Sequence, residues 1–341
     1  MRKINYVLIL GPLLTCCTGN PGQTPEEKID FVVTRAYEKG GFIGSVLVAN
    51  QGEILYRKNF GMSNAVSQTP ISDSTRFLIA SLSKPITAIL ILQLMEQGKI
   101  EPDDTLSKFF NVGGNTQASE VSVHQLLTHT SGIREIISPD HAFQEADLRQ
   151  AEFHFEPGSD FEYSNTGYVI LKEIAERSSE KDFEELVTKI FESAHMSASG
   201  VAKDPHQVNN LAVGYREANQ SESVEIGHSL EIIDGAGSLY ATANDLFLLD
   251  RALYSETLLS KKSRDLMQIQ HVKEKFGYGW FLRERSGTWD VMYHKGDLPG
   301  YTSFMSRRTK RDEVIILLSN SGGCDLAELE NDISRILKFD N

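Results

Sequence analysis

The sequence predicts an α+β fold: a central antiparallel sheet built from both chain ends and flanked by helices, with a mostly helical insertion at about residues 82–225. Three observations predict it. Apolar, strand-like segments joined by a turn signal lie near the start, at residues 42–56. More of them lie near the end, between residues 280 and 319. Between the two, the apolar spacing becomes helical. Sheet material at both ends with helices between fits one sheet interrupted by a helical insertion.

The elements follow in order. Pro25-Glu26-Glu27 opens a helix, with Pro in its first turn and acidic groups near its positive end. Phe42 to Ala49 is apolar and β-rich, then Asn50-Gln51-Gly52 turns the chain into Ile54–Tyr56, a hairpin signal. From Ser81 to Gly98 the pattern is helical, and Ile86 to Met95 is apolar nearly all round, which marks a helix buried on every side. Ser122 and Gln125 form a capping box ahead of Leu126-Leu127. Residues 167–177 and 182–191 are amphipathic. Strand character returns at Trp280-Phe281 and at Trp289–His294. Tyr301–Ser306 and Val314–Ser319 then flank a charged turn, Arg307 to Asp312, and a helix over 325–339 closes the chain.

Composition narrows the class. Hydrophobic residues make up 40% of the 341, enough for a substantial core and against wholesale disorder. The formal net charge is −13, without a long basic run, so nucleic acid is excluded as a partner. Arg2 and Lys3 precede a short apolar run, Ile4 to Leu14, and then Cys16 and Cys17. This reads as an export signal over residues 1–17 that resembles a bacterial lipoprotein signal, followed by a tether over 18–25 and the main domain over 26–341. The expected location is the bacterial cell envelope, lipid-anchored on the periplasmic side through Cys16 or Cys17, or otherwise soluble periplasmic or secreted. The membrane is expected as a partner only through that anchor. The third cysteine, Cys324, leaves no basis for a disulfide framework.

Three short patterns carry the chemistry. Ser81-Leu82-Ser83-Lys84 stands at the start of the buried helix, where positions i and i+3 share a face. A lysine buried there loses proton affinity and becomes a base beside a hydroxyl. The plainer reading is a capping serine with a lysine reaching water. A second Ser-x-x-Lys, Ser178 to Lys181, lies in a charged junction, where Ser178 or Ser179 is expected to cap the next helix. Tyr163-Ser164-Asn165 follows the Pro157-Gly158 turn, and offers a proton relay and an amide donor. His294-Lys295-Gly296 ends an apolar strand, where glycine marks close approach of another backbone. Asp297-Leu298-Pro299-Gly300 reads as the turn beyond it.

With these motifs, and with the stretches Leu126–Ile133, Pro157–Tyr168, Gly235–Thr242 and Gly300-Tyr301, the chain resembles the serine β-lactamase-related superfamily. That superfamily includes class C β-lactamases, D-alanyl-D-alanine carboxypeptidases and esterase relatives. The resemblance covers about residues 28 to 335 and implies roles by position. Ser81 is the acylated nucleophile, and Lys84 and Tyr163 share the work of general base. Asn165 holds the acyl side chain's amide, and His294 supports Tyr163 and the leaving group. The backbone amides of Ser81 and Asp297 form the oxyanion hole, and the edge strand bearing Gly296 pairs with an extended substrate. One departure is Lys295, where relatives acting on β-lactams or D-Ala termini carry a hydroxyl that helps bind the substrate carboxylate. That change argues against efficient β-lactam hydrolysis.

Two readings remain open. One is a serine hydrolase acting on an amide or ester of a small-molecule or peptide substrate, without cofactor or metal. The other is a penicillin-reactive sensor or binding protein on the same fold that does not turn over. A metallohydrolase fits poorly: there is no His-Glu-x-x-His, and the five-residue step from His124 to His129 breaks the facing geometry of ligands on one helix.

Overall fold

The structure is a computed structural model and describes residues 22–226, 230–285 and 288–339. The expected signal peptide, with Cys16 and Cys17, and residues 18–21 of the expected tether lie outside the described residues.

Six strands form the main sheet: β1 Gly44–Asn50, β2 Glu53–Phe60, β3 Phe281–Arg285, β4 Thr288–Leu298, β5 Tyr301–Arg308 and β6 Glu313–Ser319. Their spatial order is β2-β1-β6-β5-β4-β3, antiparallel throughout. The sheet thus draws on two stretches of chain, residues 44–60 and 281–319, as the strand signals at the two ends predict. In the first hairpin, Gln51 (φ 53°) and Gly52 (φ 79°) both take the left-handed conformation of a tight reversal.

Both faces of the sheet are apolar, and alternation divides them. Val46, Val48, Ile315 and Leu317 face a core closed by α1, Pro25–Glu38, and by α7, Leu326–Phe339. Leu47, Ala49, Val314, Ile316 and Leu318 face the larger core, which holds the helical insertion. Between β2 and β3 lie α2 Ser83–Glu96, α3 Val123–Leu127, α4 Asn165–Ser179 and α5 Phe183–Ser193, within the expected insertion, and α6 Ala243–Tyr254 beyond its expected end. Nearly every residue of α2 is buried, as its continuous apolar run requires. Among the described residues no helix is long and apolar enough to cross a membrane.

Three local expectations are corrected. Asp297 and Leu298 belong to β4, so the reversal falls on Pro299-Gly300. Arg307 and Arg308 are buried in β5, because Asp250 and Glu313 lie within the core to pair with them. Neither Ser178 nor Ser179 caps α5; Asp182 does, its carboxylate accepting from the Glu185 amide, while Ser179 turns back to donate to the Ala175 carbonyl.

Candidate active site

Ser81 lies in a short 3-10 turn, Ala80–Leu82, just ahead of α2. Ala80 holds φ 49°, a conformation disfavoured for a residue with a side chain. The turn is locked from the sheet side. Ser303 of β5 donates to the Ile79 carbonyl at 2.7 Å, and its strand partner Gly296 sits directly against the same turn. A β-carbon at residue 296 would lie 2.3 Å from the Ile79 oxygen and 3.0 Å from Ala80 Cβ. Close approach of two backbones therefore demands glycine there.

Lys84, in the first turn of α2, is wholly buried. Its Nζ lies 3.1 Å from Ser81 Oγ, 2.7 Å from Asn165 Oδ1 and 3.0 Å from the Ala236 carbonyl oxygen. It also stands over the Tyr163 ring, 4.7 Å from the centroid. Burial drives its pKa down to about 7, against a smaller opposite pull from the Glu135 carboxylate.

Tyr163 presents a partly exposed ring whose hydroxyl is buried and has no hydrogen-bond partner. Burial pushes its phenol well above the ordinary value; the nearby Ser81 hydroxyl tempers that rise, and the Glu135 and Asp297 carboxylates add to it. Asn165 opens α4, whose cap is Ser164, accepting from the Gly167 amide at 3.0 Å. Ser164 in turn donates to Glu135 Oε2, and the Thr166 amide donates to Glu135 Oε1.

His294 is buried, with its ring 6.0 Å from that of Tyr163 and no hydrogen bond between them. Its Nδ1 lies 2.7 Å from the Lys295 carbonyl oxygen, which can only accept, so that nitrogen carries the proton and Nε2 is left as a buried acceptor without a partner. Burial, reinforced by the neighbouring Lys84 charge, lowers its pKa to about 3. On the other face of β4, Lys295 and Asp297 are half exposed and pair at 3.0 Å. Strand β4 overruns β3: their pairing ends at Phe281 with Tyr293, so residues 294–298 extend beyond it.

Motif reading passed over two features that matter here. One is the Ala236 carbonyl, a backbone acceptor that no side-chain pattern announces. The other is His129, whose carbonyl accepts from the Glu162 amide at 2.9 Å and whose Nδ1 accepts from the Ser164 amide at 3.1 Å. It therefore grips the chain on both sides of Tyr163. Its only sequence signal is membership of the stretch from Leu126 to Ile133. The second Ser-x-x-Lys takes no part: Lys181 is partly exposed and paired with Glu185. Among the described residues no cluster of His, Cys, Asp or Glu is arranged to hold a metal ion.

A serine beside a strained residue, a buried lysine next to it and a sheet edge alongside form the geometry of a serine acyl-transfer site. The model of the Beta-lactamase family matches residues 31–335, and the chain belongs to that family. Over 314 residues it is 31% identical to penicillin-binding protein 4* of Bacillus subtilis (strain 168), a match covering 83% of this chain and 69% of that protein. It is similar in structure to a penicillin binding protein from Bacillus halodurans, with a TM-score of 0.78 and 26% identity over 90% of this chain and 98% of the other. A class C beta-lactamase superposes with a TM-score of 0.81, over 92% of this chain and 96% of that one; at 19% identity this likeness concerns the fold alone. Membership of the family supports a serine hydrolase acting through an acyl-enzyme.

Proposed function

We propose that the protein hydrolyses an amide or ester through an acyl-enzyme on Ser81, with Lys84 as the base and Tyr163 as the proton relay. The observation that carries this reading is the bonding of the Lys84 amine. A neutral amine has two protons and one lone pair. Asn165 Oδ1 and the Ala236 carbonyl can only accept, so they take the two protons. The third neighbour is the Ser81 hydroxyl, which can donate to the lone pair. With a pKa of about 7, a large share of the amine is uncharged at neutral pH.

In the acylation step Ser81 Oγ attacks the substrate carbonyl carbon and its proton passes to Lys84 Nζ. The backbone amides of Ser81 and Asp297 receive the developing oxyanion. Tyr163, which burial keeps protonated at neutral pH, hands a proton to the leaving group and is resupplied from Lys84. Asn165 spends its oxygen on Lys84, which leaves its amide NH₂ for the acyl part of the substrate. His294 offers an acceptor nitrogen on the leaving-group side. Water then frees the acyl group by the same route in reverse.

The test is a panel of a short-chain nitrophenyl ester, a chromogenic cephalosporin and a D-Ala-D-Ala peptide, run on wild type and Ser81→Ala. Multiple turnovers on any one of them are expected, and a loss of at least about a thousandfold in Ser81→Ala, with the melting temperature preserved. A stoichiometric burst without turnover assigns the chain to the sensor reading. Undiminished turnover in Ser81→Ala overturns the nucleophile.

A further inference from the structure

Next to Asn165 the site opens into a cavity of about 210 Å³. The loop after α3 supplies Glu135, Ile137 and Pro139; the short 3-10 turn Leu230–Ile233 supplies Ile232 and Ile233; the end of β4 supplies Leu298. The cavity borders the reacting centre at two points. Asn165, one of its walls, bonds the Lys84 amine. Ile233 also packs against Gly237, next to the Ala236 carbonyl that holds the same amine: its Cδ1 would lie 2.9 Å from a β-carbon at 237.

The lining is mostly aliphatic, with Ser138 and Asn165 as its neutral polar side chains and Glu135 as its one charge. The Glu135 carboxylate is held in place by the Thr166 amide at 2.8 Å and the Ser164 hydroxyl at 3.0 Å, at the first turn of α4, where a helix favours negative charge. It cannot swing away without uncapping α4. The Lys84 amine lies behind Asn165, bonded to its oxygen, and Lys295, on the opposite face of β4, is paired with Asp297. The volume falls below the roughly 300–1,000 Å³ of pockets for drug-sized ligands, so it suits a short chain better than a peptide stem or a bulky ring system.

We propose that this cavity receives the acyl chain of the substrate and selects apolar, non-anionic acyl groups of short to medium length, with Glu135 excluding acyl chains that end in a carboxylate. The proposal rests on Ser81 being the nucleophile. It narrows the substrate to neutral acyl donors, such as simple esters or amides of fatty or aryl acids.

Four 4-nitrophenyl esters with a common leaving group test it: acetate, butyrate, hexanoate and the monoester of glutaric acid, whose acyl chain matches hexanoate in length but ends in a carboxylate. For wild type, kcat/KM is expected to rise about fourfold per added methylene, the worth of burying one CH₂. The glutarate ester should fall at least about tenfold below hexanoate, the effect of a fixed like charge a few ångströms away. Ile233→Ser should flatten the chain-length series, and Glu135→Gln, which keeps the acceptor for the Thr166 amide, should raise the glutarate-to-hexanoate ratio several-fold. If deacylation is absent, single-turnover release of nitrophenolate reads the same ranking. A flat series in wild type, a glutarate ratio unmoved in Glu135→Gln, or no release from any ester overturns the proposal. Ser81→Ala separates the two failures: esters still cleaved by that variant sink the nucleophile, whereas an inactive Ser81→Ala beside a flat wild-type series sinks only the acyl pocket.

Discussion

His129 shows how a single side chain can set the geometry of another. Its carbonyl and its Nδ1 accept from the amides of Glu162 and Ser164, and its ring lies 4.4 Å from that of Tyr163, centroid to centroid. Nδ1 can accept only if it carries no proton, so the clamp requires a neutral imidazole. Burial secures that by pushing the His129 pKa well below its ordinary value, with the Lys84 and His294 charges acting in the same direction. The residue also holds φ 58°, a strain of about 1–2 kcal/mol for a non-glycine residue. Such strain persists where surrounding bonds enforce it. His129→Phe keeps a ring of similar bulk and removes the acceptor, leaving the Ser164 amide without its partner at a cost of about 1–3 kcal/mol. The expected kinetic result is a fall in kcat with KM little changed. In a Tyr163→Phe background the same substitution should cost little further kcat, because the residue it positions is already disabled. A double-mutant cycle in kcat, with urea melts of all four proteins, decides the matter: full additivity in kcat would reduce His129 to packing. Ser81, Lys84 and Tyr163 stand out in the sequence because their spacing implies chemistry. His129 does not, since its role depends on residues 33 and 35 positions away, which the fold alone brings near.

At the scale of elements, the site is a seam between the sheet edge and the turn before α2. Its tightest point is Gly296. An added methyl there meets the Ile79 carbonyl, Ser303 Oγ and Ala80 Cβ together, and none of these is the loose end of a long side chain. Gly296→Ala is therefore expected to destabilise by about 1–3 kcal/mol, the usual effect of overpacking. It should also reduce kcat/KM by about a hundredfold, since relief requires the Ser81 turn to move. Denaturant unfolding and ester kinetics on one preparation check both. An active, fully stable Gly296→Ala would mean that β4 and the turn have more freedom than their contact implies. The glycine was legible as a close-approach position because it interrupts an apolar strand. The full length of β4 was not, because Asp297, Leu298 and Pro299 read locally as a turn. Nor was the burial of Arg307 and Arg308, since a run of cations reads as solvated until Asp250 and Glu313 are seen behind it. Similarly, Asp182 outcompetes the serines as the α5 cap because Glu180, at φ 57°, ends α4 before the chain reaches it.

For the whole molecule, the architecture was readable from the ends inward: alternating apolar strands at 44–60 and 281–319 belong to one sheet, and an all-apolar α2 needs to be enclosed. That enclosure couples the site to global stability. Unfolding returns Lys84 to water, where a lysine titrates near about 10.4, while in the folded protein its pKa is about 7. Between those values the unfolded chain binds more protons than the folded one, so Lys84 makes stability rise with pH across that window and contributes no slope below it. His294, lowered to about 3 by burial, acts with the same sign between about 3 and 6.5. Both therefore favour the fold as pH increases. The formal charge of −13 opposes them on the alkaline side through self-repulsion, a term that falls on wild type and on a Lys84 variant nearly alike. The informative quantity is thus a difference. The unfolding free energy of wild type minus that of Lys84→Met should grow by about 2 kcal/mol from about pH 7 to about pH 9. The same titration, seen in catalysis, should make kcat/KM of wild type rise through about pH 7 as the amine loses its proton. Urea melts and initial rates measured across one pH series test both with the same buffers. If the stability difference stays level while the rate still climbs, some group other than Lys84 supplies the base.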